Sequence, residues 1–271
     1  MIVDIWMNLD SIFASEPVLL YAGESGLLIS THLTSFVQFL VGFLISAFDE
    51  FAAEDVKKTT TSLSADGTVN ETTSNTVNFL KRVFENERQL DYMIGKLANN
   101  SIEFKFNKTE FKSLAEYANL ILVSLLDEIG AKAKVYKKQL VNIFILNNCK
   151  YIIKTLKQSN LPALPHIPAF ELEIKTHLEL YRDSWVSIAS HLIDQTKIVG
   201  GKIETVLSKA QRDTVKDQWK EFNKDFDEIV GIQSLYAVPD IELRAQVIKD
   251  VKGIIVPMYA RFYDRYFFFE V

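Results

Sequence analysis

Residues Val215 to Tyr266 read VKDQWKEFNKDFDEIVGIQSLYAVPDIELRAQVIKDVKGIIVPMYARFYDRY. Trp219, Phe222, Phe226 and Ile229 recur at helical spacing, so the first half is an amphipathic helix with a single apolar stripe. Val238-Pro239-Asp240 marks a turn. A second helix follows, which Pro257 is expected to interrupt, and the end is strongly aromatic. Outward from this stretch the same alternation of helix and short connector continues. Only 10 Gly and 6 Pro punctuate 271 residues, and an all-β or βαβ chain would need many more turn signals. The expected fold class is all-α, with ten to twelve helices in stacked antiparallel bundles.

Bulk composition narrows the function classes. A hydrophobic fraction of 48% is enough for a sizeable core. The formal net charge of −5 argues against non-specific nucleic-acid binding, which needs a basic surface to displace counterions. One cysteine, Cys149, excludes an internal disulfide and a cysteine-rich zinc module, and fits a reducing compartment. The opening MIVDIWMNLD has no basic residues before its apolar ones and carries Asp4, so it is a poor secretory signal. The Asn-x-Ser/Thr matches at Asn70, Asn99 and Asn107 are therefore read as coincidental.

Leu27 to Phe51 is the most apolar stretch and approaches the ~20 residues that span a bilayer. Ser30, Thr31, His32, Thr34, Ser35 and Gln38 crowd its first half, so a core helix is the preferred reading and an anchor at residues 27–48 the rival. Residues 57–65 read as a polar loop ending in the turn pair Asp66-Gly67. Thr73-Ser74-Asn75 offers caps before an apolar-periodic segment with Val77, Leu80, Phe84, Met93, Ile94 and Leu97. Residues 99–107 read as a connector, followed by a helix from about Thr109 to Gly130. Asn147 and Asn148, inside the apolar helix IFILNNCKYI, must find hydrogen-bond partners and are expected to clasp a neighbouring helix. Pro162, Pro165 and Pro168 mark residues 161–170 as a stiff connector. Glu171 to Val199 is expected to be helical. The expected organisation is a divergent segment 1–30, a first bundle region 31–160, the connector 161–170 and a distal bundle region 171–271.

Four blocks, in order, resemble one known family. DGTV, three further residues and TSN (Asp66 to Asn75), IFILNNCKYI (Ile143 to Ile152), YRDSW (Tyr181 to Trp185) and the run FN…F(D/E)E…ELR…P.Y..F..RY ending at Tyr266 are similar to the C-terminal region of the seventy-kilodalton exocyst subunit family, exocyst complex component 7. The resemblance implies an elongated rod of cullin-repeat-like helical bundles. It also implies a non-enzymatic role in tethering secretory vesicles to the plasma membrane during exocytosis, with no cofactor. The implied partners are other exocyst subunits, a Rho-family GTPase and the anionic phosphoinositide surface of the inner leaflet. The implied location is the cytoplasm, with peripheral recruitment to the plasma membrane. The family's long N-terminal half and basic C-terminal tail have no counterpart in the sequence, and the chain ends instead in Tyr266-Phe267-Phe268-Phe269-Glu270-Val271. A shortened paralogue acting only as a helical interaction module is the alternative.

Candidate chemistry is sparse. Glu173, His177 and His191 share a helix side but lack the further ligands zinc needs, so no metal site is expected. Ser187, His191 and Asp194 lie on one helix and cannot surround a carbonyl, so no catalytic residues are expected. Cys149 reads as a buried, inert thiol, and Gly200-Gly201 is too short to cradle a phosphate. Charge distribution says more. Residues 1–60 hold eight acids and two bases, whereas from Arg244 onward five bases (Arg244, Lys249, Lys252, Arg261, Arg265) face three acids. Lys249 with Lys252 and Arg261 with Arg265 are spaced to share helix faces, and these four residues are the lipid-binding candidates.

Overall fold

The computed structural model describes residues 63–99, 103–106, 108–137, 139–159, 164–193 and 207–266, with isolated positions before residue 63, of which 34–40 form the longest run. Helices dominate, as the all-α reading expects: α1 (Glu71–Phe84), α2 (Glu87–Asn99), α3 (Leu114–Ala133), α4 (Leu140–Gln158), α5 (Ile167–Ala189), α6 (Lys209–Gln233) and α7 (Ile241–Tyr266). A 3-10 turn, Ser190–Leu192, follows α5. Among the described residues seven helices have both ends, and residues 34–40 are helical as well.

The chain folds into two compact units that interleave in sequence. One gathers Met1–Leu63, Glu71–Glu128 and Lys154–Ile167; the other gathers Ser64–Asn70, Ile129–Ile153 and Pro168–Val271.

In the first unit Val77, Leu80 and Val83 of α1, Met93 and Ile94 of α2, and Leu114, Tyr117, Ile121, Leu122 and Leu125 of α3 are buried. The backbone N–H of Leu114 donates to Asp91 Oδ1 at 2.9 Å, fixing the start of α3 against α2. The expected connector at 99–107 contains a strand instead. Phe104–Phe106 pairs antiparallel with Thr109–Phe111, Phe104 opposite Phe111 and Lys105 opposite Glu110. The expected helix start at Thr109 is therefore displaced to Leu114. The cause is an alternation of period two, FKF then TEF, which buries Phe104, Phe106 and Phe111 together. Tyr117 receives two of these rings, Phe111 at 4.9 Å and Phe106 edge-on at 5.8 Å between centroids. Outside the hairpin's apolar side, Lys105 sits between Glu103 at 2.8 Å and Glu110 at 3.4 Å.

The helix reading for the apolar stretch before residue 51 holds where it is described: residues 34–40 are helical, with Val37 buried and Phe36 and Phe39 exposed. Among the described residues no helix is long and apolar enough to cross a membrane. The remainder of 27–48 is described only at isolated positions, and the loop at 57–62, Pro162, Gly200-Gly201 and the residues after Tyr266 lie outside the described residues.

In the second unit α6 begins with a reciprocal cap: Gln211 N–H donates to Ser208 Oγ at 3.2 Å, and Ser208 N–H donates to Gln211 Oε1 at 2.7 Å. Trp219 near the start of α6 stacks on Phe262 near the end of α7, at 5.5 Å, so the two helices run antiparallel around the turn at 234–240. Asp240 caps α7 by accepting the Leu243 N–H at 2.9 Å. The expected interruption at Pro257 does not occur; α7 is one helix of 26 residues with the proline inside it. Proline removes one backbone hydrogen bond and costs about 3 kcal/mol in a helix interior. Buried Val247 and Ile255 before it and Phe262 and Tyr266 after it hold both halves in one core, which offsets that cost. Likewise α5 starts at Ile167, within the expected connector, with Pro168 in the first turn where its missing N–H has no helical partner to lose.

Candidate functional site

The most polar interior of the second unit is built around Asn147 and Asn148 on α4. Asn147 Nδ2 donates to Gly67 O at 2.7 Å and to Ala237 O at 2.8 Å. Asn148 Oδ1 accepts the Asn70 N–H at 2.9 Å, while its Nδ2 donates to Phe144 O at 2.7 Å. Lys132 Nζ donates to Asn70 Oδ1 at 3.0 Å, and both residues are buried. The expected helix-to-helix clasp is thus corrected. Apart from the Asn148 Nδ2 bond within α4, the amides bind loop backbone, the DGTV-Asn70 stretch on one side and the α6–α7 turn on the other, because loops carry carbonyls and N–H groups that no ladder satisfies. The same two loops meet directly, Ala237 N–H donating to Asp66 O at 2.9 Å. Asp66 accepts from Ser64 Oγ and, at 3.0 Å, from the Thr68 N–H, and these bonds, the Ser64 bond foremost, hold its carboxyl below its ordinary pKa. Thr73-Ser74-Asn75 fall inside α1, which starts at Glu71, so they do not cap it as expected. The arrangement is structural: it fixes where α6 turns into α7.

Two of the four histidines, His177 and His191, are taken up locally. His177 Nδ1 lies 2.8 Å from Asn142 Oδ1 and its Nε2 3.3 Å from Glu173 Oε2. His191 Nε2 lies 2.9 Å from Asp225 Oδ2 on α6, so its partner is that carboxylate rather than Ser187; Asp194 is outside the described residues. No group of three or more metal-type ligands occurs among the described residues. Asp225 also lines an open cavity of about 340 Å³ with Glu228, Ile229, Gln233 and Tyr236. Cys149 is a free, buried thiol whose pKa burial pushes up to about 12.

Lys249, Lys252, Arg261 and Arg265 all lie on α7. The first three are exposed and Arg265 is half-buried, its guanidinium 5.7 Å from the centre of the Tyr266 ring. At about 100° per residue, Lys249 and Lys252 share one side of the helix and Arg261 and Arg265 the opposite one. The four therefore make two separate pairs. Arg244, at the start of the same helix, donates from Nε to Val238 O at 2.9 Å. Sequence reasoning counted these bases but missed that the Lys249/Lys252 side also carries exposed Ile241, Ile248, Val256, Tyr259 and Tyr263. The signal was present, as a second stripe of three- and four-residue spacings.

Comparison with known proteins follows the same lines. The family model for the C-terminal part of the Exo70 protein of the exocyst complex matches residues 1–270. The chain is 27% identical to human exocyst complex component 7 over 213 residues, 74% of this chain and 28% of that protein. It is 27% identical to Arabidopsis thaliana exocyst complex component EXO70A1 over 255 residues, 91% of this chain and 39% of that protein. With Drosophila melanogaster exocyst complex component 7 it shares 30% identity over 226 residues, 74% and 31% of the two chains. The chain thus spans well under half the length of these relatives. A solved structure of exocyst subunit Exo70p superposes with a TM-score of 0.59 at 16% identity, covering 98% of this chain and 54% of that one. Another, of S. cerevisiae Exo70, gives 0.55 at 16% identity over 97% and 57%. These likenesses establish the shared helical fold, and the match along nearly the whole sequence establishes descent: the chain belongs to the Exo70 C-terminal family of exocyst subunits.

Proposed function

We propose that the chain acts without enzymatic chemistry as an exocyst subunit, helping to tether secretory vesicles at the plasma membrane during exocytosis. Family membership over residues 1–270 is the observation that carries this reading. In support, His177 and His191 are bound within the fold, the thiol is buried, and the polar interior joins loops to a helix. Its partners on this reading are other exocyst subunits and a Rho-family GTPase. It works in the cytoplasm, recruited peripherally to the inner leaflet. No nucleic acid, metal or cofactor takes part.

The lipid contact on this reading is made by Lys249, Lys252, Arg261 and Arg265. An anionic leaflet gains about 1 kcal/mol for each basic residue near its surface. Because the two pairs face opposite sides of α7, a flat bilayer engages one pair at a time, worth about 2 kcal/mol or roughly thirtyfold in affinity. Flotation with phosphatidylcholine vesicles, with and without phosphatidylinositol bisphosphate, tests this. Binding that needs the phosphoinositide, disappears in high salt and falls on charge reversal of one pair supports the reading. Equal flotation without the phosphoinositide, or no flotation at all, removes the lipid contact. Recovery of other exocyst subunits with the tagged chain tests the assembly role separately.

A further inference from the structure

We propose that the solvent-facing side of α7 is a docking stripe for an acidic amphipathic helix of another protein. Ile241, Ile248, Lys252, Val256, Tyr259 and Tyr263 lie along it, with Ala245 between the first two, at successive spacings of three and four residues. Ile241 is 77% exposed and Val256 57%, and the remaining members are exposed as well. The stripe runs for about 33 Å at 1.5 Å per residue, the length of a partner helix of six turns. The core-facing side of α7 is a different set, Leu243, Val247, Ile255, Phe262 and Tyr266, all buried. One helix therefore carries two apolar stripes: its own unit buries the first and touches the second at Tyr259, whose ring lies 5.1 Å from Trp219 and 6.1 Å from Phe222 of α6, leaving the rest of that stripe exposed.

Charge selects the occupant. The arc from Arg244 across the stripe to Lys249 holds Arg244, Lys252 and Lys249 and no carboxylate. The acids of α7 lie beyond it, and Glu242, just past the rim, is taken by Lys150 at 3.1 Å. An apolar track with basic rims matches a helix whose apolar stripe is flanked by Asp and Glu. The position of Lys252 favours a helix over a bilayer. A leaflet is best served by an unbroken apolar centre with bases at the edges. Lys252 instead interrupts the centre, where one facing carboxylate would satisfy it and fix the register. Tyr259 and Tyr263, stacked at 6.2 Å between centroids, supply a preformed aromatic contact of the kind enriched at interfaces.

The proposal rests on α7 alone and shares Lys249 and Lys252 with the lipid contact proposed above, so on that side of the helix a partner helix and a leaflet are alternatives, while the Arg261/Arg265 side stays open to lipid. Its test uses the full chain and two designed helical peptides with the same leucine stripe, one flanked by Glu and the other by Lys, read by fluorescence anisotropy. The Glu peptide binds at least about tenfold more tightly than the Lys peptide. Ile248→Glu and Val256→Glu each weaken the Glu peptide by about tenfold or more. Lys252→Glu reduces the preference for it, and Arg261→Glu, on the far side, leaves it unchanged. Circular dichroism of each variant establishes that the exposed substitutions leave the fold intact. Equal binding of both peptides, no binding of either, or binding indifferent to Val256→Glu overturns the proposal. So does self-association abolished by Ile248→Glu, which would make a second copy the occupant. Binding to phosphatidylserine vesicles that is abolished by Val256→Glu, while the Glu peptide fails to compete, would make a membrane the occupant and likewise overturn it.

Discussion

Asn70 and Asn148, 78 residues apart, are joined by the Asn70 backbone N–H donating to Asn148 Oδ1 at 2.9 Å in a buried site. Leucine at 148 has the same number and branching of side-chain heavy atoms but leaves that N–H without an acceptor. Asn148→Leu is expected to cost about 2 kcal/mol, the penalty of an unsatisfied buried donor. Urea denaturation measures it; a loss below half that value would mean that water or rearrangement satisfies the group.

Asn147 presents its amide nitrogen to two carbonyl oxygens, those of Gly67 and Ala237. Asn147→Asp would face both with a carboxylate, whereas Asn147→Ala only removes the donor. The aspartate variant is therefore expected to be the less stable of the two by about 1 kcal/mol or more at neutral pH. Lowering the pH should narrow the gap as the introduced carboxyl protonates, and thermal melts across pH read it out.

Two glycines should answer alanine with opposite signs. Gly67 has φ 74°, and a methyl group there would meet Leu140 Cδ1 at 2.6 Å. Gly67→Ala is expected to destabilise by about 2 kcal/mol from left-handed backbone strain and the displaced leucine. Gly253 sits within α7 with nothing within 4 Å of an added methyl. Gly253→Ala is expected to stabilise by about 0.5–1 kcal/mol.

Burial pushes the Cys149 thiol up to about 12, so almost no thiolate forms near neutrality. Thiol reagents should leave the native protein unlabelled and modify it on unfolding, at a rate that follows urea concentration. Rapid labelling of the folded chain at pH 8 would contradict the burial.

His177 is held below its ordinary value of 6.5, chiefly by burial, with Glu173 pulling the other way. Its neutral form is thus favoured in the fold. The unfolded chain takes up a proton at higher pH than the native one, so stability is complete above about 6.5 and declines as pH falls through the native value. Asn142 and Glu173 are its polar neighbours. His177→Gln should flatten that part of the stability profile between pH 7 and 5.

The sequence displayed the α6–α7 pair clearly, because Trp219, Phe222 and Phe226 repeat at helical spacing and the turn at Pro239 is explicit. The hairpin Phe104–Phe111 was just as visible in its alternation of period two, but three-residue strands are too short to outweigh a helical background. Pro257 signals a break locally; what keeps α7 whole is burial on both sides of it, which no local pattern reports. The same limit applies to Asn147: its need for partners could be read from an apolar helix, whereas their identity as loop carbonyls depends on chain segments 80 and 90 residues away. As for the candidate bases, sequence spacing paired them correctly within each pair, but the half-turn between the pairs emerges only when α7 is followed through its proline as one helix.

Neither compact unit is written as a continuous stretch of chain. The second closes around Ser64–Asn70 and α6–α7, which come much later along the chain. During synthesis the DGTV loop and the α4 amides must therefore wait for the residues around Ala237 before their carbonyl and amide groups are matched. A fragment cut anywhere between residues 71 and 236 would separate groups that belong to one core. Dissection of this chain into independently folding pieces is thus foreclosed by its threading, and an interface on α7 has to be studied on the whole polypeptide.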